Sequence, residues 1–138
     1  AGIPSTYVPA RNTIMLSLAL GWAEAVGGRD LFFGANAVDY SGYPDCRNDT
    51  IQAMSHALTL GLAKPSPIET PLMFLTKAQT WTLSRQLGGA ALVNLIVEHT
   101  HTCYLGDRTH RRAWGYGCGE CPACELRAAG YDEWASGR

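Results

Sequence analysis

Cys118-Gly-Glu-Cys121-Pro-Ala-Cys124 sets three thiols at three-residue intervals, with Cys103 upstream of them. Four of the five cysteines therefore fall in 22 residues, and the fold must gather them at a common point or leave them as reactive thiols. Four thiolates around one ion is the closed tetrahedral arrangement of structural zinc. A clustered, odd set of cysteines suits metal better than a disulfide framework. Gly117 and Gly119 let the backbone bend so that amides face the sulfurs. Pro122 suits the first turn of a helix over 122–129, with Gly130 as its stop. That helix points its positive end at Cys121 and Cys124 and favours thiolate. One Zn²⁺ and four thiolates sum to a charge of about −2, which Arg111, Arg112 or Arg127 can offset. Two other readings stay open. The triplet resembles the first three ligands of a bacterial ferredoxin run, which continues with Cys-Pro where this chain has Ala128-Ala129; disulfides or free buried thiols are the other. His99, His101 and His110 can replace a cysteine ligand, but four cysteines leave them as solvated or core side chains.

At 138 residues the chain has the size of one domain. Its 46% hydrophobic and 17% charged residues suit an ordered chain. A formal charge of −1 carries no strong signal for nucleic acid or an anionic membrane. No apolar run approaches the roughly 18 residues of a spanning helix, and Ala1–Ala10 does not read as a secretory signal.

Residues 1–12 read as an extended entry segment. Asn12 or Thr13 can cap a helix over 14–26, whose Met15, Ala19, Trp22 and Val26 recur at helical spacing, widened by Ile14, Leu18 and Ala25. Gly27-Gly28 stops it. Leu31–Ala35 reads as a buried strand, and 36–47 as a loop at its C-terminal end, where α/β sheets place ligands. A helix from Asn48 or Asp49 to Leu62 shows Ile51, Met54, Leu58 and Leu62 on one side. Residues 67–72 suit a short edge strand; helices over 76–87 and 91–97 flank Gly88-Gly89. These elements predict an α/β body over 1–99 and a metal-stapled tail over 100–138 packed on it.

Arg11 and Asn12, with the loop 36–47, offer charged, hydroxyl and amide groups beside the predicted strand. Asp39 and Asp45 can accept hydrogen bonds from ring or amino donors, while Arg11, Arg47 and Lys77 can hold carboxylate or phosphate. Helix capping by Asn12 and Asp45 is the plainer alternative. Cys46 reads as a structural or ligand-lining thiol, with a nucleophile as the alternative. Arg108, His110, Arg111 and Arg112 form a basic run that suits a solvated loop better than contact with tRNA or phosphate. Neither a GxxxxGK[ST] nor a GxGxxG loop occurs.

The segments Val8-Pro-Ala-Arg-Asn12, Asp39-Tyr-Ser-Gly-Tyr-Pro-Asp-Cys-Arg47, Thr70-Pro-Leu72, Lys77-Ala78, Thr102-Cys-Tyr104 and Cys118-Gly-Glu-Cys-Pro-Ala-Cys-Glu-Leu-Arg127 resemble, in order and spacing, the 7-cyano-7-deazaguanine synthase family. The resemblance implies a nucleotide-binding α/β fold of the ATP pyrophosphatase type, a bacterial cytoplasmic location and a homodimer. It also implies ATP-dependent carbon–nitrogen ligation, turning 7-carboxy-7-deazaguanine and ammonia into the nitrile precursor of queuosine. Mapped onto this chain, the zinc ligands are Cys103, Cys118, Cys121 and Cys124. Arg11, Asn12, Asp39, Tyr40, Ser41, Asp45, Arg47 and Lys77 become substrate- or nucleotide-binding residues, with ATP and Mg²⁺ in the complete enzyme and no catalytic residue assigned.

The chain departs from the family's pattern in four places. It has no counterpart of the N-terminal SGGxDS phosphate loop, Ala10 replaces a usual Gly, Gln79 replaces a usual Glu, and the stretch between Cys103 and Cys118 is longer. Without the phosphate loop the expectation is a chain inactive by itself, acting with a missing N-terminal part supplied upstream or in trans. The competing expectation is a non-catalytic zinc-stapled module that binds a purine-like ligand, tRNA or a partner protein.

Overall fold

The computed structural model describes Ile3 and residues 7–36, 42–64 and 67–137. It is a mixed helical structure with two small sheets, and its contacts divide it into two compact units, Ala1–Phe74 and Leu75–Arg138. The composition changes after residue 99, but the long third helix groups with the cysteine-rich tail.

In the first unit, α1 spans Arg11–Val26 and starts from Ala10, which adopts a left-handed conformation with φ 56°. No side chain of its own caps it. The expected caps act otherwise: Thr13 Oγ1 donates to Ala10 O at 2.8 Å, and the Asn12 amide donates to Asp45 Oδ2 at 3.0 Å. At the other end Gly27, with φ 74°, lets its own amide reach Glu24 O and that of Gly28 reach Ala23 O, the paired bonds of a Schellman motif.

Two strands follow, β1 (Leu31–Phe32) and β2 (Ile68–Glu69), paired in parallel with Leu31 opposite Ile68. Their crossover holds a 3-10 turn over Pro44–Cys46 and α2 over Asn48–Gly61. Both strands are shorter than the apolar runs predict. Phe33 still donates to Glu69 O at 2.8 Å, but Pro67 and Pro71 bracket β2 and remove donors from that side. The core is Leu16, Leu20, Ala35, Ile51, Ile68 and Met73, with Met54, Leu58 and Leu62 packed on it as their spacing predicts. On α1 the outcome differs. Leu16 and Leu20 face inward, while Met15, Leu18, Trp22 and Val26 are exposed.

In the second unit α3 spans Lys77–His99, opened by a capping box in which the Gln79 amide donates to Thr76 Oγ1 and the Thr76 amide to Gln79 Oε1. Gly88 and Gly89 leave helical geometry, so α3 is two helical segments joined at the glycine pair that separates the two predicted helices. A hairpin of β3 (Arg111–Arg112) and β4 (Gly115–Tyr116) follows, then α4 over Pro122–Ala135. Trp81, Val93 and Val97 of α3 pack with Tyr131 and Trp134 of α4. Helix α4 runs through Gly130 instead of stopping there, because this glycine is an approach point: a Cβ at Gly130 would stand 2.2 Å from Lys77 Cβ.

Candidate functional site

The second unit gathers four sulfurs. Cys103 precedes the hairpin, Cys118 follows it, Cys121 is the N-cap of α4 and Cys124 lies in its first turn. Their Sγ atoms all lie within 4.8 Å of one another, with Cys118 and Cys124 3.9 Å apart. One tetrahedral ion with metal–sulfur bonds of ~2.3 Å calls for sulfurs about 3.8 Å apart, so the quartet has the dimensions to hold a single metal ion. No cysteine is disulfide-bonded.

The hydrogen bonds around the sulfurs suit bound thiolates. Amides of Glu120 and Cys121 donate to Cys118 Sγ at 3.4 and 3.3 Å. Amides of Cys118, Asp107 and Leu105 hold the Cys103 thiol down at about 6. At Cys121 burial pushes upward, but hydrogen bonds from around Tyr104 and Cys124 outweigh it and the thiol is lowered. Burial pushes Cys124 up to about 12, so this thiol holds its proton until a bound cation displaces it. Gly117 lies so close to the cluster that a Cβ there would stand 2.6 Å from Cys124 Sγ.

Two of the three candidate arginines hold backbone carbonyls beside this cluster. Arg112 donates from Nε to Gly117 O at 3.2 Å and from Nη2 to Cys118 O at 2.7 Å. Buried Arg127 donates from Nε to Trp114 O at 2.9 Å and from Nη2 to Ile96 O at 3.1 Å, and its guanidinium sits 5.6 Å from the Trp81 ring centroid. Burial lowers its pKa, and the charge of Cys124 opposes that shift. Arg111 instead pairs with Glu98, which also accepts from Tyr116 Oη at 3.2 Å. The histidines stay outside the quartet: His101 Nε2 meets Asp107 O at 2.8 Å, and His110 Nδ1 meets Asp107 Oδ2 at 2.6 Å.

In the first unit, the start of α1 meets the 3-10 turn. Asp45 is 4% exposed. Its Oδ2 accepts from the Asn12 amide, while its buried Oδ1 has no hydrogen-bond partner among the described residues. Asn12 Nδ2 donates to Cys46 Sγ at 3.1 Å. Burial and the charge of Asp45 raise the Cys46 pKa, outweighing Arg11 and Asn12, so at neutral pH Cys46 is a thiol and lacks the environment of an activated nucleophile. Arg11, Asn12, Asp45 and Cys46 thus gather where sequence reasoning expects a ligand. Arg47 is exposed and caps α2 through its backbone, and Lys77 opens α3 in the second unit. Asp39, Tyr40 and Ser41 lie outside the described residues.

The family model described as "Queuosine biosynthesis protein QueC" matches residues 1–135. The chain is 61% identical over 137 residues to the 7-cyano-7-deazaguanine synthase of Leptothrix cholodnii, covering 99% of this chain and 58% of that protein. It is 59% identical over 133 residues to the enzyme of the same name in Caulobacter vibrioides, covering 96% and 55%. This chain thus spans less than three fifths of the length of those curated relatives.

Proposed function

The chain belongs to the family of queuosine biosynthesis protein QueC, and we propose that it is the zinc-bearing portion of a 7-cyano-7-deazaguanine synthase, with part of the substrate site. In this reading 7-carboxy-7-deazaguanine is activated at its carboxylate by ATP and attacked by ammonia to give the amide. A second activation and dehydration then give the nitrile. The observation that carries the reading is the family match along the chain, supported by a cysteine quartet with the dimensions of one metal ion.

The zinc, bound by Cys103, Cys118, Cys121 and Cys124, supplies a cross-link and no reaction step. Arg112 and Arg127 offset its negative shell. Ligand binding falls to Arg11, Asn12, Asp39, Tyr40, Ser41, Asp45, Arg47 and Lys77. Of these, Asp45 has the most defined role. Its buried, unpartnered oxygen accepts an N–H from the edge of the deazaguanine ring, and such an acceptor gains most where water is excluded. Arg11 and Lys77 stabilise the charge that develops on carboxylate and phosphate. ATP, Mg²⁺ and the nucleotide-binding sheet belong to the whole enzyme, a cytoplasmic homodimer, of which this chain supplies part of the α/β layer.

The reading is tested by ATP-dependent formation of the nitrile from 7-carboxy-7-deazaguanine and ammonia. The chain is assayed alone and with the part of the Leptothrix cholodnii synthase outside its match to this chain. The expected result is no turnover alone, turnover on addition, and one zinc per chain by elemental analysis. Failure of the complemented mixture to make nitrile, or iron in place of zinc, overturns the reading.

A further inference from the structure

Helix α1 has two apolar arcs. At about 100° per residue, the inward arc carries Ala19, Ala23, Leu16 and Leu20. An adjoining arc carries Ile14, Leu18, Met15, Trp22 and Val26, which are 57%, 70%, 61%, 71% and 61% exposed. The polar residues Arg11, Asn12 and Thr13 fill the first turn, with Arg11 at the N-terminal end of the outer arc, and from Ile14 onward Ser17 and Glu24 form a narrow polar strip. A helix apolar nearly all round is ordinarily covered on both sides, and contiguous exposed apolar surface on this scale marks an interaction site.

The sheet of the same unit points the same way independently. Among the described residues, β1 and β2 pair only with each other. Parallel strands occur in larger sheets covered on both faces, and a pair of two-residue strands leaves an open edge on each side. Phe32 on β1 is 70% exposed. The chain spans 58% of the Leptothrix cholodnii synthase, whose remaining two fifths lies outside the match.

We infer that the outer face of α1, centred on Leu18 and Trp22, is the docking surface for a strand-bearing polypeptide equivalent to that remaining two fifths. The segment covers Ile14, Met15, Leu18, Trp22 and Val26 and extends the β1–β2 sheet. The inference rests on the synthase reading for the identity of the occupant, and on exposure and the open sheet for the surface.

The deciding experiment mixes the full chain with the unmatched segment of the Leptothrix cholodnii synthase, produced separately, and measures the species by analytical ultracentrifugation. A one-to-one complex is expected. Leu18→Glu with Trp22→Glu abolishes it, while Leu60→Glu, at a 76% exposed apolar position on α2, leaves it intact. Circular dichroism confirms that the variants keep their helices. On the unsubstituted chain, hydroxyl-radical oxidation of Met15 and Trp22 falls several-fold in the complex. No complex, a complex indifferent to the double substitution, or unchanged oxidation of Met15 and Trp22 overturns the inference. So does a discrete self-dimer dissolved by the same pair, which assigns the face to a second copy. A complex made through α1 that forms no nitrile leaves the docking surface standing and sinks the synthase reading. Turnover without protection at Met15 and Trp22 does the reverse.

Discussion

Ala10 holds φ 56°, the lone positive-φ residue other than glycine among the described residues. A left-handed backbone costs an L-residue with a Cβ about 1–2 kcal/mol, and here it is fixed because Ala10 O must accept from Ile14 N at 2.9 Å and from Thr13 Oγ1 at 2.8 Å. The resemblance to the synthase family implies glycine at this position, which removes the strain. Ala10→Gly should therefore stabilise the first unit by about 1 kcal/mol once the extra freedom of glycine in the unfolded chain is subtracted. A higher urea midpoint with an unchanged slope is the expected reading; a midpoint that stays put or falls would show that the turn carries no strain. Gln79 departs from the family's pattern without such a cost, because its amide oxygen completes the capping box as a carboxylate would. The cysteine quartet was legible residue by residue, since the spacing of four thiols already limits what they can bind. The choice among Arg111, Arg112 and Arg127 was not. It depends on a hairpin that turns Arg111 toward Glu98 and Arg112 toward the carbonyls of Gly117 and Cys118.

At the scale of elements, glycine and apolar spacing located α1, α2 and the break in α3, and misled at two points for different reasons. Periodicity finds a helix, but α1 has two apolar arcs, and only the arrangement of Leu16 and Leu20 against Ile51 and Met73 decides which is inward. Gly130 reads as a stop because glycine often follows a helix; in the structure it is buried inside α4 where α3 comes closest. The two roles make opposite predictions for Gly130→Ala. Helix propensity alone gains about 1 kcal/mol. A methyl group 2.2 Å from Lys77 Cβ, with Lys77 C at 3.1 Å and Ala78 N at 3.2 Å, forces the helices apart and costs roughly 1–3 kcal/mol or more. The contact outweighs propensity, so net destabilisation of about 1–2 kcal/mol is expected. Near-ultraviolet circular dichroism of the Trp81–Tyr131–Trp134 group, whose rings stand 5.2 to 5.9 Å apart, reports this directly. A variant as stable as the parent would mean that α3 and α4 do not approach as described.

Across the whole molecule, the two compact units have cores of different kinds. The first is aliphatic, built on Leu16, Leu20, Ala35, Ile51, Ile68 and Met73. In the second, the cluster beside the hairpin consists of Cys103, Trp114, Cys121 and Cys124, with Cys118, Ala123, Ala128 and Tyr131 against it. Three of its four buried members are thus metal-ligand candidates, and segment 100–121 has few other apolar anchors. Structural zinc contributes an apparent 10–16 kcal/mol in small zinc-finger peptides at about pH 7, far more than one tryptophan and a few methyl groups can supply here. Removing the metal with a chelator should therefore open residues 103–121. Their amides lose hydrogen-exchange protection and Trp114, 5% exposed in the folded chain, shifts its emission to the red. Cys124→Ser should reproduce the effect without chelator. Amides around Leu20, Ile51 and Met73 should keep their protection, because no quartet cysteine belongs to that core. Retained protection across 103–121 after the metal is stripped would show that the quartet does not staple this unit. Equal loss around Leu20 and Ile51 would show instead that the two cores melt as one.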